Sequence, residues 1–395
     1  MRGAGMAGVD TIRATRDGDQ FHYHWAARQS LRLLPGPDDL VAVTVEGASV
    51  LDEDGPAGQA GDEIIDVGLY HGADTFAKAR QVEYVQLKHS TARSGRVWTP
   101  SELKHTIAGF ADVFRKHLRK GKSAVASGRL RFRFTSNRPF DAKTLLAVRE
   151  LGEGRTATHS TLARKFTGFC GLAGEDLRLF YSLITLDGSA PDLWAQRNLL
   201  VQDVRAYLPE TDYDAPTQLK ELVTRKATSE GATNRAISLH DVLRALRATL
   251  PDLYPAPSRI PDPADTFSRA QEPDILQTVL SAERPVLIHA DGGVGKSVLA
   301  ARLARAMPTG SAAVLYDCYG EGLYGVANDF RHRHRDALVQ IVNELAGRGL
   351  CHPLVPAHYA DPKQYVRAFV YRLEQAVRQL RGSDPAAVLC VIVDA

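Results

Sequence analysis

Cysteine is scarce in this chain, with four in 395 residues at Cys170, Cys318, Cys351 and Cys390. They are too widely spaced for a zinc cluster, and their apolar or mixed surroundings read as small buried residues. Neither a disulfide framework nor a structural zinc is expected. Long apolar runs are missing as well. No stretch approaches the roughly 18–20 residues that span a bilayer, and Met1-Arg-Gly-Ala-Gly-Met-Ala-Gly8 lacks the apolar core of a secretion signal. No membrane contact and a cytoplasmic location are the expectation. A strong net charge is also lacking: the formal value is +3, which says little until the charges are located. No short internal repeat is found. What remains is an ordinary composition, 44% hydrophobic and 24% charged, with room for two or three units of roughly 100–200 residues each.

The order of elements predicts an α/β multidomain protein. Phe21, Trp25, Ala26, Leu31 and Leu34 suit an amphipathic helix over 17–34, closed by Pro35-Gly36-Pro37. Leu40–Glu46 alternates, with Val41, Val43 and Val45 on one face and Ala42, Thr44 and Glu46 on the other. Asp62–Tyr70 and Gln81–His89 read as two more strands, Pro100–Lys120 as a helix and Arg129–Phe134 as a further strand. These make an α/β domain over 10–142. Residues 143–250 show helical signals without a clear strand and read as a helical extension. Five prolines within Pro251–Pro263 mark a linker or strap over 251–275. In 276–395 a buried strand at Arg284–Ala290 is followed by a glycine-rich loop, a helix at Lys296–Ala306 and a strand at Ala312–Tyr316. Helices at Arg335–Gly347 and Pro362–Arg381 precede a last strand, Val388–Val393.

The loop is Ala290-Asp-Gly-Gly-Val-Gly-Lys-Ser297. In the pattern G-x-x-x-x-G-K-[ST], glycines turn successive N–H groups around a phosphate, the lysine reaches the β and γ phosphates, and the hydroxyl binds Mg²⁺. Here Ala290 replaces the first glycine. A strand before and a helix after complete the expected anion site. Gly292, Gly293, Val294, Gly295, Lys296, Ser297 and Val298 are therefore the expected nucleotide-binding residues, with ATP and Mg²⁺ as cofactors. Asp394, at the end of a parallel strand, would share the Mg²⁺ with Ser297, and Asp317 is a weaker candidate nearby. No residue that would position an attacking water is visible, so binding is better supported than hydrolysis.

A second set lies in the first domain. Gln86 and Lys88 share a strand face, being two positions apart. If 62–70 and 81–89 form an antiparallel hairpin about the loop at 71–80, position 66 lies opposite 86 and position 64 opposite 88. Asp66, Gln86 and Lys88 then converge, while Glu63 and Glu83 point away. Asp66 and the Gln86 side-chain oxygen, with the Leu87 carbonyl as a further ligand, could hold Mg²⁺, and Lys88 could stabilise developing charge. Glu46 could add a carboxylate. The alternative is a surface hairpin with scattered polar groups. Between 111 and 133, Arg115, Lys116, Arg119, Lys120, Lys122, Arg129, Arg131 and Arg133 face one acid, Asp112. This density suits a phosphate backbone, or else a solvated basic face. Arg331-His-Arg-His-Arg335 reads as a loop or partner surface.

Glu46-Gly47, Ile65-Asp66-Val67, Gln86-Leu-Lys-His-Ser90, Trp98-Thr-Pro-Ser-Glu-Leu103, Gly109-Phe110 and Phe134-Thr-Ser-Asn-Arg-Pro139 resemble restriction-endonuclease-like PD-(D/E)xK effector nucleases. These are the nucleases fused to bacterial STAND NTPases in antiviral defence. Leu253-Tyr-Pro-Ala-Pro-Ser258, Gly292–Ser297, Leu315-Tyr-Asp-Cys-Tyr-Gly320 and Ile392-Val-Asp-Ala395 resemble the NTPase partner. The resemblance implies a restriction-endonuclease-like domain, a helical extension and a P-loop NTPase domain with a parallel sheet, the last incomplete at its C-terminus. It implies Mg²⁺-dependent cleavage of double-stranded DNA by Asp66, Gln86, Lys88 and Glu46, with Gln86 where the superfamily often has Glu. It further implies assembly into a homo-oligomer on activation, and a trigger such as a phage protein sensed by a C-terminal region outside this sequence. Two other readings stay open: a signalling NTPase with an inactive nuclease-like binding domain, and a DNA-processing motor ATPase.

Overall fold

The computed structural model describes residues 4–52, 64–260, 266–327, 329, 331–357 and 359–395. The architecture is mixed α/β, and the chain divides into two compact units. The first takes residues up to Leu33, Asp39–Val204 and Tyr213–Ala245. The second takes Leu34–Asp38, Arg205–Asp212 and Leu246–Ala395.

The first unit opens with α1 (Ala4–Ser30), longer than the expected helix and closed by a 3₁₀ turn at Leu31–Leu33. Strands β1 (Leu40–Val45), β2 (Val67–His71) and β3 (Gln81–Lys88) follow as an antiparallel series. Ile64 and Ile65 are buried ahead of β2, and positions 62 and 63 lie outside the described residues. After a 3₁₀ turn at Pro100–Leu103, α2 (Lys104–Ala126) leads to β4 (Leu130–Ser136), which runs parallel to β3. Apolar residues on alternate positions explain that crossover. Val82 and Tyr84 of β3 and Leu130, Phe132 and Phe134 of β4 face α2, whose Ile107, Phe110 and Phe114 complete the core. The Phe110 and Phe132 rings stack at 4.8 Å.

The stretch 143–250 is not a strandless extension. Helices α3 (Ala142–Glu153), α4 (Ser160–Cys170) and α5 (Gly174–Ser182) lead into β5 (Ile184–Asp187), parallel to β4. After α6 (Leu193–Tyr207) and α7 (Ala215–Ala227), the two-residue β6 (Ala236–Ile237) pairs antiparallel with β1, ahead of α8 (Leu239–Ala245). The resulting sheet has the order β5-β4-β3-β2-β1-β6. Both added strands are short, and β5 is only half-buried. The apolar alternation that marks a strand in sequence needs four or more residues with one face buried, so neither could be read.

In the second unit, Leu250–Leu253 forms a helical turn (α9), and the proline-rich stretch after it is a strap rather than a free linker: Ala256 is buried and its N–H donates to Gln340 Oε1 at 2.9 Å. α10 (Glu272–Ser281), α11 (Lys296–Arg305), β7 (Ala312–Asp317), α12 (His334–Gly347), α13 (Pro362–Ser383) and β8 (Leu389–Asp394) follow. β7 and β8 pair in parallel, and α12 and α13 pack with them through Val314, Tyr316, Ile341, Leu345 and Ala376.

The expected strand at Arg284–Ala290 is absent. These residues run exposed without strand pairing, Leu287 at 90%, and a groove of about 430 Å³ separates Val286–Ile288 from β8. Their apolar composition is that of a strand buried on both faces, but such a run becomes a strand only where a ladder partner lies within bonding reach. For the same reason β8, expected buried, is half-buried.

One buried cation organises the far end of this unit. Arg372 is 2% exposed and donates to the carbonyls of Ala206, His352, Pro353 and Ala368. Burial pulls its proton affinity down to about 10. Arg372→Ala would leave these carbonyls unsatisfied and is expected to cost at least about 3 kcal/mol, measured as a fall in the urea midpoint of the second unit's transition.

Candidate metal centre and glycine-rich loop

The end of β1 and the start of β2 lie level with one stretch of β3. Val67 is level with Val85 in the β2–β3 pair and with Val45 in the β1–β2 pair, which puts Asp66 opposite both Gln86 and Glu46. The hairpin register expected for 66 and 86 is therefore present. Two backbone bonds extend it past the ladder: Asp66 N–H to Val85 O at 3.0 Å, and Glu46 N–H to Asp66 O at 2.8 Å. Ile64, expected opposite Lys88, instead lies in a short turn and packs into the core. Gly109 of α2 permits that packing, since a Cβ there would meet Ile64 Cγ1 at 2.6 Å.

Glu46 has φ 53°, a left-handed conformation rare for residues with a side chain. Such strain costs of order 1–3 kcal/mol and persists only where the surroundings impose it. Gly47 follows at φ 134°, and its carbonyl accepts from Thr44 Oγ1 at 2.7 Å. β1 thus ends in a sharp turn at the level of Asp66.

The donor chemistry of this cluster is oxygen-rich. Asp66 is 7% exposed; its Oδ2 accepts from Leu87 N–H at 2.5 Å, and its Oδ1 lies 3.9 Å from His22 Nδ1. Gln86 is 2% exposed, and its Oε1 is buried with no hydrogen-bond partner among the described residues. A buried amide oxygen without a donor costs roughly 1–3 kcal/mol, a cost that a cation would relieve. Two carboxylates and this oxygen fit a hard divalent ion such as Mg²⁺. The Leu87 carbonyl, expected as a further ligand, already accepts from His22 Nε2 at 2.9 Å.

The Glu46 carboxyl is lifted to about 7, first by burial and then by the Asp66 and Asp19 carboxylates, against the pull of Lys88. The residue as a whole is exposed, so water screens part of this effect, leaving about 1 kcal/mol. A carboxyl that binds its proton more tightly when folded stabilises the fold below its unfolded pKa, and that contribution is lost as pH rises from about 4.5 to about 7. Thermal melts in chelator should therefore show Glu46→Gln gaining on the parent protein across this window, with a constant difference above it.

Helix α1 contributes residues that strand spacing does not reveal. His22 touches Asp66 and Leu87, and the Tyr23 hydroxyl is pushed up by burial and then by the Asp19 and Glu46 carboxylates. Asp19, His22 and Tyr23 have the i, i+3, i+4 spacing of one helix face. That spacing was the available signal.

The loop strings that follow β3 and β4 act as a frame. Arg138, 3% exposed, lies 3.9 Å over the Trp98 ring, donates to the carbonyls of Arg96 and Val97, and pairs with Glu102 at 3.2 Å. Glu102 closes a capping box with Thr99, whose backbone N–H is the main reason its carboxyl falls to about 2. Asn137 bonds both the N–H and the C=O of Ser90, at 3.0 and 2.9 Å. These contacts fix the segment that leaves β3 directly after Lys88.

The basic run is less available than its density suggests. Arg115 pairs with Asp112, Lys122 with Asp176 and Arg133 with Glu83, while Arg129 and Arg131 donate to backbone carbonyls. Gln86 is level with Phe134 and Lys88 with Ser136, so Arg129, Arg131 and Arg133 project from the opposite sheet face to Gln86 and Lys88.

In the second unit, Gly293 and Gly295 adopt φ 76° and 85°, and α11 begins at Lys296. Lys296 Nζ donates to the carbonyls of Ala290 and Asp291, both at 2.9 Å. Lys296 and Asp394 line the same groove. Asp394 is level with Asp317 across the parallel pair, but Asp317 is committed to structure: it accepts from Gly320 N–H at 2.7 Å and Arg259 N–H at 2.9 Å and faces Arg331 at 3.6 Å. Arg331 is accordingly buried, 2% exposed, and not part of a basic surface. All four cysteines are free thiols, and only Cys170 is fully buried.

Comparison with protein-family models returns no match, and neither does comparison with curated proteins. Among the described residues, no helix is long and apolar enough to cross a membrane.

Proposed function

We propose that the first unit is a metal-dependent DNA endonuclease and the second a nucleotide-binding switch that governs it. The observation that carries the reading is the shared level of Glu46, Asp66 and Gln86 across three adjacent strands, with the Gln86 oxygen unpartnered among the described residues. A divalent ion held by Asp66, Gln86 and Glu46 would polarise a scissile phosphate and acidify a water. Lys88, two residues along the same face, supplies a cation to a phosphate oxygen as charge develops on it. His22 holds the β3 backbone at Leu87 and so keeps Gln86 and Lys88 aimed.

For the second unit, two left-handed glycines ahead of a helix N-terminus, with Lys296 across the loop and Asp394 in the same groove, support Mg²⁺–ATP binding through Gly292–Val298. The restriction-endonuclease-like and P-loop assignments, the STAND type of control, assembly on activation and a role in antiviral defence belong to this proposal. The test is cleavage of supercoiled plasmid by the intact chain, with Mg²⁺ and with chelator. Metal-dependent nicking is expected; no cleavage under activating conditions would leave a binding module.

A further inference from the structure

Beside the metal centre the first unit holds a cleft of about 420 Å³ that the nuclease reading does not use. It opens where β3 and β4 end, one residue beyond Lys88, at the carboxyl ends of parallel strands. One wall is α1, through Asp17, Gln20 and His24. Another is the start of α6, where Trp194 is 67% exposed with the Arg197 guanidinium 5.8 Å from its ring centroid. Exposure of the largest apolar side chain at a cleft mouth leaves a flat surface that an aromatic ligand can cover.

Two histidines give the lining its polar groups. His89 stacks on Phe21 at 5.0 Å, and its Nε2 accepts from Leu193 N–H at 3.3 Å, which leaves Nδ1 as its donor. His24 Nδ1 donates to Gln20 O at 2.7 Å, which leaves Nε2 as its acceptor. Burial holds both imidazoles toward the neutral form that this division of roles requires. The cleft thus pairs a stacking surface with a hydrogen-bond donor and an acceptor.

We propose that this cleft takes an unpaired nucleobase, stacked on Trp194 and met at its edge by His24 and His89, so that the adjacent metal centre acts on strands with locally open pairing. The ring fits the indole, the base edge fits the two imidazoles, and Arg197 offers a cation to the backbone phosphate. A cleft of this volume holds one small aromatic ligand, and a base must leave the duplex stack to enter it. The inference rests on the nuclease reading only in taking the ligand to be nucleic acid.

Tryptophan emission of the full chain in chelator tests it. A short mixed-sequence single-stranded oligodeoxynucleotide should quench emission and bind at least roughly tenfold more tightly than the blunt duplex of the same sequence. Trp194→Phe should remove the quench, because Trp25 and Trp98 remain as internal references. By anisotropy, Trp194→Ala should weaken the single strand roughly five- to hundredfold, the range of one base–aromatic stack. An unchanged quench in Trp194→Phe, or parental single-strand affinity in Trp194→Ala, would overturn the assignment. Cleavage without quench removes the cleft proposal and keeps the nuclease; quench without cleavage does the reverse.

Discussion

Lys88→Ala is expected to lower metal-dependent DNA cleavage by roughly 10²–10³-fold, the loss seen when one preorganised group facing a developing charge is removed. Lys88 ends β3, is half-buried, and shares its face with Gln86. It also pulls against the raised proton affinity of Glu46, so its loss should make the metal site slower to ionise and move the rising limb of the pH–rate profile upward. Neither effect touches the core. Val82, Tyr84, Val85 and Leu87 remain buried, and the melting temperature should change by no more than a partly exposed substitution usually produces, about 0.5 kcal/mol of stability. Quantified plasmid nicking over a pH series, with a melt of the same sample, checks both. A variant that cleaves like the parent would remove Lys88 from the chemistry and return the cluster to a metal-binding or structural role.

Much of this site was legible because strand parity is strict. A hairpin about 71–80 that pairs Val67 with Val85 on one face and Tyr70 with Val82 on the other buries all four, and that pairing sets Asp66 against Gln86. The helical side was less legible. Asp19, His22 and Tyr23 carry no strand signal, and their value depends on which face α1 turns toward β1 and β2, a tertiary fact. The basic run misled for a related reason: local density is visible in a sequence, whereas Glu83 and Asp176, which neutralise part of it, lie 50 and 54 residues from their partners. The segment before the glycine-rich loop shows a further limit. Val286, Leu287 and Ile288 have strand composition, but strand formation is a property of a pair, and β8 lies across a groove from them.

Lys296→Ala is expected to weaken Mg²⁺–ATP binding by roughly a hundredfold, the equivalent of one strong charge-assisted hydrogen bond to phosphate. The geometry separates this loss from unfolding. Among the described residues Lys296 Nζ bonds only to loop carbonyls, those of Ala290 and Asp291, and both residues are exposed, so water can take over these acceptors when the ammonium is removed. The loop's turn is set elsewhere, by the left-handed Gly293 and Gly295 and by Arg269, which donates to Val294 O. Titration of a fluorescent ATP analogue into parent and variant, with thermal melts in parallel, should show reduced affinity at unchanged stability. Equal affinity would mean that the ammonium serves only to brace its own loop. Reduced affinity would instead tie the Asp394 groove to the same ligand, because Lys296 lines it; Asp394→Asn should then weaken binding only when Mg²⁺ is present, the signature of a carboxylate that acts through the metal.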